Sequence, residues 1–124
     1  MLTKRTIGVL RIHKLLSPQL KDSVKLWAIK LESPKAAYFY AKIILNGPFP
    51  EGEPAIAQSP KWSYYYAKEI LQHRFEAGEP VLAHSSSWWF DYWLNVLDGE
   101  WPKEMSEALL EARALWGSKI ERGY

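Results

Sequence analysis

The chain has 124 residues, enough for one domain with its own core, and 48% of them are hydrophobic. Its 7 Trp, 7 Tyr and 4 Phe exclude a disordered polar segment, and the absence of Cys excludes disulfides and thiolate sites. The net charge of +2 is uneven: residues 1–50 carry +7 (9 basic, 2 acidic) and residues 51–124 carry −5 (7 basic, 12 acidic). This asymmetry can serve packing between neighbours, head-to-tail association or a charged partner, but the favoured interpretation is solvated faces of unequal sign. The sequence has no apolar run long enough to span a membrane and no signal-peptide pattern, so we expect a cytoplasmic protein without membrane contact.

The first predicted elements form a basic N-terminal cap over residues 1–32. Residues 3–16 show both strand-like and helix-like features, and we favour a helix. A Ser-Pro pair then predicts the start of an amphipathic helix over residues 18–31. The apolar side of this helix consists of Leu20, Val24, Trp27, Ala28 and Leu31.

A repeat follows the cap. Residues 33–58 (SPKAAYFYAKIILNGPFPEGEPAIAQ, unit 1) and residues 59–84 (SPKWSYYYAKEILQHRFEAGEPVLAH, unit 2) are identical at 14 of 26 aligned positions. Residues 85–101 are a degenerate unit 3, and residues 102–124 predict a C-terminal cap helix. A unit of this size cannot bury its own apolar face, so the units are expected to stack. The predicted fold is therefore all-α: one domain, 1–124, formed by a short α-solenoid-like stack of helix-loop-helix repeats with capping helices.

Each unit predicts a long helix, a loop and a short helix. A Ser-Pro pair caps the long helix, and Gly47 or its equivalent ends it. Phe49 and Phe75 are expected to plug the loop onto the core. Glu53 and Glu79, each followed by Pro, are expected to open the short helix with a carboxylate at its positive end.

The repeat pattern, SP-x-x-x-Y-x-YA-K-x-IL followed by F-x-x-GEP, resembles tandem SPxxAYxYA…FPEGEP repeats of uncharacterised proteins from tailed phages and large DNA viruses. The resemblance covers residues 33–102 and implies a small helical repeat of viral origin, with no catalytic residues. Pro48 departs from the pattern, which has Arg there, whereas Arg74 keeps it; unit 3 lacks Gly-Glu-Pro. The resemblance rests on Ser33, Pro34, Tyr38, Tyr40, Ala41, Phe49, Pro50, Gly52, Glu53 and Pro54, and on their copies in unit 2.

The sequence carries no pattern typical of an enzyme. Its 3 His lack the i, i+4 spacing of a helical metal site, and no nucleotide-binding glycine motif or nucleophile elbow occurs. Glutamates recur with the repeat, which favours a structural role because an active site is needed once. We therefore predict a protein that is not an enzyme, with no catalytic, metal-binding or cofactor-binding residues.

A basic and aromatic stripe is one candidate binding surface. At spacings i, i+3 and i+7 it comprises Lys35, Tyr38 and Lys42 in unit 1, and Lys61, Tyr64 and Lys68 in unit 2. Such a stripe can neutralise phosphates and stack the bases of RNA or single-stranded nucleic acid. The alternative is that the aromatic ring packs onto the neighbouring unit while the lysines are solvated.

Tryptophans form the other candidate surface, since Trp62, Trp88, Trp89, Trp93 and Trp101 cannot all be fully buried in a small domain. The predicted binding residues among them are Trp62, Trp88, Trp89 and Trp93. Trp is seldom completely buried, and exposed aromatic residues are typical of protein interfaces. The alternative is that these side chains fill gaps where the stack meets its C-terminal cap. The predicted function is a non-enzymatic, phage- or virus-encoded module that binds a host or viral protein, including a host defence protein that it would inhibit. The alternative is nucleic-acid binding through the Lys-Tyr-Lys stripe.

Overall fold

The computed structural model describes the backbone of residues 18–121 and the side chains of residues 22–30 and 32–117. Within this part of the chain all regular structure is helical and no strand occurs, which confirms the predicted all-α class. None of these helices is both long and apolar enough to cross a membrane. The prediction for residues 3–16 lies outside the described residues.

Seven α-helices and four π- or 3-10-helical segments follow one another along the described residues. The α-helices are α1 (Pro18–Leu31), α2 (Pro34–Phe39), α3 (Glu53–Ile56), α4 (Pro60–Tyr65), α5 (Glu79–Ala83), α6 (Ser86–Asn95) and α7 (Glu107–Glu121). α2 and α4 continue directly as π-helical segments, Tyr40–Leu45 and Tyr66–Leu71. Short 3-10 turns, Pro50–Gly52 and Glu76–Gly78, precede α3 and α5.

Serine side chains cap three of the described α-helices. The Oγ atoms of Ser33 and Ser59 accept hydrogen bonds from backbone N–H groups three residues later, at 3.2 and 3.3 Å. Ser85 holds the same position before α6, but its side chain makes no such bond. Ser106 caps α7 in the same way at 3.2 Å, so this helix begins at Glu107, later than the predicted boundary of the C-terminal cap helix.

The long helices of units 1 and 2 end at a residue in the left-handed conformation, and the matching position of unit 3, three residues beyond the end of α6, has the same conformation. These residues are Asn46, Gln72 and Asp98, with φ of 50°, 59° and 57°. The sequence predicted that Gly47 or its equivalent ends the helix, but the left-handed residue precedes that position. Gly47 and Gly99 instead donate their N–H groups to carbonyls six residues earlier, at 3.1 and 2.8 Å, which closes the helix end.

The core runs between the long and short helices of the units. Phe49 and Phe75 are buried in it, which confirms that they plug the loops onto the core. At the C-terminal end α7 packs against α5, where Trp116 Nε1 donates a hydrogen bond to a backbone carbonyl of α5 at 2.8 Å. At the other end α1 packs against α2 through the buried Ala28. Trp27, predicted on the same apolar side of α1, is 60% exposed.

Candidate protein-binding groove

The long helices of units 1 and 2 meet through a small polar and aromatic cluster. The Tyr38 hydroxyl donates a hydrogen bond to the Glu69 carboxylate, and Lys42 Nζ lies 3.1 Å from the same carboxylate. The Trp62 ring lies 5.0 Å from the Tyr38 ring, centroid to centroid. The hydroxyl hydrogen bond and, after it, the Lys42 ammonium hold the pKa of Glu69 below its ordinary value.

Units 2 and 3 meet through the same positions with one change in chemistry. Asn95 Nδ2 donates to the Tyr64 hydroxyl at 2.9 Å, and the Trp88 ring lies 5.8 Å from the Tyr64 ring. Asn95 stands one period after Glu69, so an amide replaces the carboxylate. Lys68 lies 5.7 Å over the Tyr64 ring, the same distance as Lys42 over the Tyr38 ring, but it has no carboxylate at the matching position.

This packing corrects the prediction of a base-stacking stripe. Tyr38 and Tyr64 are only 2% and 4% exposed, so neither ring offers a free face to a base. For these two residues the alternative prediction, packing onto the neighbouring unit, is confirmed. Lys42 pairs with a carboxylate, whereas the other predicted lysines are exposed, namely Lys35, Lys61 and Lys68.

The predicted tryptophan surface divides into two parts. Trp62 and Trp88 are half-buried between the units. Trp89 is 1% exposed and stacks on Trp101 at 5.9 Å, and Trp93 packs against the same ring at 6.3 Å. A surface role is therefore wrong for Trp89, which fills the turn towards the C-terminal cap. The Nε1 atoms of Trp89 and Trp93 are buried and have no hydrogen-bond partner among the described residues.

A second set of contacts joins each long helix to the loop of the preceding unit. The Tyr92 hydroxyl donates to Glu79 at 2.6 Å and accepts from the Phe75 N–H at 3.0 Å. Arg74 binds the same carboxylate through two nitrogens, at 3.1 and 2.8 Å. Burial of the phenol raises the pKa of Tyr92, and hydrogen bonds to Glu79 raise the pKa of Arg74. Glu79, predicted only as a helix-start carboxylate, is fully buried and joins three segments of the chain.

The matching network in unit 1 has no arginine. The Tyr66 hydroxyl donates to Glu53 at 2.7 Å and accepts from the Phe49 N–H at 2.9 Å. Pro48 stands where unit 2 has Arg74, and Glu53 is half-exposed. Sequence reasoning missed the role of these glutamates, although their recurrence one period apart, together with the arginine position of the repeat pattern, was a signal for it.

An open apolar groove with a volume of about 540 Å³ lies between α1 and α2. The groove is lined by Val24, Trp27, Ala28, Ser33, Lys35, Ala36, Phe39, Tyr40, Ile43 and Ile44. Exposed apolar surface of this kind marks interaction sites in soluble proteins. Only Lys35 among the predicted binding residues lies in the lining, so the sequence prediction missed this site.

The groove occupies a face that is covered in the other units. Its residues Ala36, Phe39 and Ile43 stand one period before Trp62, Tyr65 and Glu69. Those three residues of unit 2 contact the long helix of unit 1, through ring contacts with Tyr38 and the hydrogen bond to Glu69. In unit 1 the same face borders α1, which forms one wall of the groove. The groove is therefore the N-terminal continuation of the contact between units.

The chemistry of the groove suits binding of apolar side chains, since its lining includes one cationic residue, Lys35, and no carboxylate. Across the described part of the chain, no group of three or more His, Cys, Asp or Glu side chains is placed to hold a metal ion. No family model, curated protein or solved structure matches this chain.

Proposed function

We propose that the protein is a non-enzymatic protein-binding helical module and that its partner binds in the groove between α1 and α2. The observation that carries the proposal is the apolar lining of this groove at one end of the helical stack, with Trp27 60% exposed at its wall. Protein interfaces bury aromatic side chains of this kind together with apolar neighbours. The complementary ligand is a segment that presents aliphatic or aromatic side chains, such as the apolar face of a helix.

The resemblance of residues 33–102 to viral repeats supports a further part of the proposal. On that resemblance alone, the chain is phage- or virus-encoded and its partner is a host protein. Occupying a surface of a host defence protein would inhibit that protein without catalysis.

Affinity capture from cell lysate with the full-length chain tests the groove. Ile43→Glu places a carboxylate in the lining of the groove, while Leu110→Glu places the same charge on α7, at a leucine that is 53% exposed. We expect a partner that wild type and Leu110→Glu retain equally and that Ile43→Glu loses at least about tenfold, since a buried unpaired charge opposes binding. Equal retention of every captured protein by all three chains would contradict the proposal.

Nucleic-acid binding is the alternative function, and a second experiment distinguishes it from protein binding. The exposed lysines Lys35, Lys61 and Lys68 support phosphate contacts, but the buried rings of the stripe do not support base stacking. Capture of nucleic acid that weakens steeply with salt, and that Lys61→Glu with Lys68→Glu abolishes, would favour this alternative. A partner whose retention is unchanged in that double variant would exclude it.

A further inference from the structure

The two ends of the helical stack carry matched apolar residues where the interior contact is polar. Between units 1 and 2, Lys42 Nζ lies 3.1 Å from the Glu69 carboxylate. Ile43, in the groove, stands one period before Glu69. Leu94, on α6, stands two periods after Lys42. An ion pair inside the stack thus corresponds to an isoleucine at one end and a leucine at the other.

The position of Tyr38 in unit 1 also changes from polar to apolar towards the C-terminal end of the stack. Tyr38 donates a hydrogen bond to Glu69, and Tyr64 accepts one from the amide that stands one period later. Phe90 is the third residue at this position, and it has no hydroxyl. A phenylalanine cannot make this hydrogen bond, and the side chain of Ile43 cannot accept or donate one. Phe90 at one end lacks the hydroxyl of this contact, and Ile43 at the other end lacks the carboxylate or amide that would pair with it.

We propose that the protein self-associates head to tail, with the α6 face around Leu94 of one copy seated in the groove of the next. This inference rests on the proposed function, because it names a second copy of the chain as a partner of the same groove. Unit 3 of one copy then contacts unit 1 of the next as unit 1 contacts unit 2 within the chain. Leu94 lies against Ile43, as Lys42 lies against Glu69. Because the two surfaces differ, the contact repeats into chains of copies or closed rings.

Exposure and charge both favour this partner. Leu94 is 44% exposed, and the groove is open. The groove lining carries one charge, that of Lys35, so groove-to-groove contact would bring two cations together. The residues of unit 3 at the positions of Lys35, Tyr38 and Lys42 carry no charge, namely Ser87, Phe90 and Leu94, so head-to-tail contact avoids this repulsion.

Sedimentation velocity of the full-length chain at increasing concentration tests the proposal. Wild type is expected to form species larger than a dimer, and Ile43→Glu or Leu94→Lys to weaken association at least about tenfold, because each exposes a charge to an apolar partner. The chain carrying both Ile43→Glu and Leu94→Lys should regain association, since it recreates the Lys42–Glu69 pair between copies. Ile43→Glu with Leu94→Glu should not regain it, and Leu110→Glu should behave as wild type.

Mixing two variants tests whether the contact is head to tail. Ile43→Glu keeps an intact α6 face and Leu94→Glu keeps an intact groove, so an equimolar mixture should form a 1:1 dimer and nothing larger. Dimerisation of Leu94→Glu alone would indicate a symmetric groove-to-groove contact and overturn the proposal. Association of the single chain that carries both Ile43→Glu and Leu94→Glu would also overturn it.

A monomeric wild type separates this inference from the proposed function. If the monomer still captures another protein in a manner that Ile43→Glu abolishes, self-association is overturned and the proposed function stands. If the monomer captures no protein through the groove, both are overturned.

Discussion

The hydroxyl group of Tyr92 joins a buried backbone N–H to a buried carboxylate, and its removal gives a sharp test of the packing between units. It accepts from the Phe75 N–H at 3.0 Å and donates to Glu79 at 2.6 Å. Tyr92→Phe deletes this one oxygen. The Phe75 N–H then has no partner at that position, and the carboxylate keeps its two hydrogen bonds from Arg74.

The size of the effect follows from these two bonds. A buried donor left unpaired costs about 1–3 kcal/mol, and a hydrogen bond to a charged group contributes about 1.5–3 kcal/mol. The two overlap in one atom, so we expect Tyr92→Phe to lower the free energy of unfolding by about 3 kcal/mol. Tyr66→Phe is the matched control, because its bonds of 2.9 and 2.7 Å are alike but its carboxylate partner, Glu53, is half-exposed. Water can replace the hydroxyl at that carboxylate, so the expected loss is about 1.5 kcal/mol.

Urea unfolding followed by tryptophan fluorescence measures both losses, and an unchanged m-value shows that they are changes in stability. In a chain of this size about 1 kcal/mol corresponds to about 4 °C in Tm, so calorimetry should show decreases of about 12 °C for Tyr92→Phe and about 6 °C for Tyr66→Phe. Equal losses in the two variants, or a loss below about 1 kcal/mol for Tyr92→Phe, would refute the reasoning that burial of Glu79 makes this hydroxyl important.

Three other experiments test separate parts of the fold. A Cβ at Gly78 would lie 2.5 Å from a serine hydroxyl oxygen, whereas one at Gly47 would lie 3.9 Å from its nearest neighbour. Thermal unfolding should therefore show that Gly78→Ala lowers the free energy of unfolding by about 2–3 kcal/mol and that Gly47→Ala changes it by less than about 0.5 kcal/mol. Pro48→Arg should give Glu53 the guanidinium that its counterpart has in unit 2 and raise Tm by about 2 °C relative to Pro48→Gln, and an equal Tm for the two would contradict this. The pKa of Glu69 is lowered in the folded state, so its contribution to stability is complete above the ordinary value of 4.5 and is lost as the pH falls through the lowered value. Glu69→Gln should therefore be less stable than wild type at neutral pH, with a difference in urea midpoint that shrinks on acidification; a difference independent of pH would be the contrary result.

Local signals made much of the fold predictable. Ser33 and Ser59 cap helices where the Ser-Pro pairs predicted helix starts, and Phe49 and Phe75 are buried as the repeat predicted. The π-helical hydrogen bonding after Tyr40 was not predictable, because one widened turn leaves the spacing of apolar residues almost unchanged. The helix start at Glu107 was missed because Ser106, the capping residue, lies inside the stretch 102–124 that was predicted as one C-terminal cap helix.

The candidate site was less predictable because it depends on distances between elements. The spacing of Lys35, Tyr38 and Lys42 placed them correctly on one helix, but it carries no information on whether the next unit covers that face. The groove depends on how α1 packs against α2, and α1 lies outside the repeat, so no internal copy specified its position. Trp27 shows the same difficulty: helical spacing placed it on an apolar side, and the structure leaves that side open.

Two kinds of contact join neighbouring units: one has the same chemistry at both junctions, and the other does not. The difference follows from how deeply each contact is buried. The contact of Tyr66 and Tyr92 with the preceding loop is the same in both units, because each hydroxyl pairs a buried N–H that would otherwise be unsatisfied. The contact at the Glu69 position lies at an exposed edge, where Glu69 accepts from Tyr38 and pairs with Lys42, whereas Asn95 donates to the Tyr64 hydroxyl. The residue at this position can therefore vary with the side chains that it contacts. Ile43 stands at this position in the groove, and an isoleucine there indicates an apolar neighbour. Because the residue at this edge depends on the side chain that it contacts, we specifically expect Leu94 of a second copy as that neighbour.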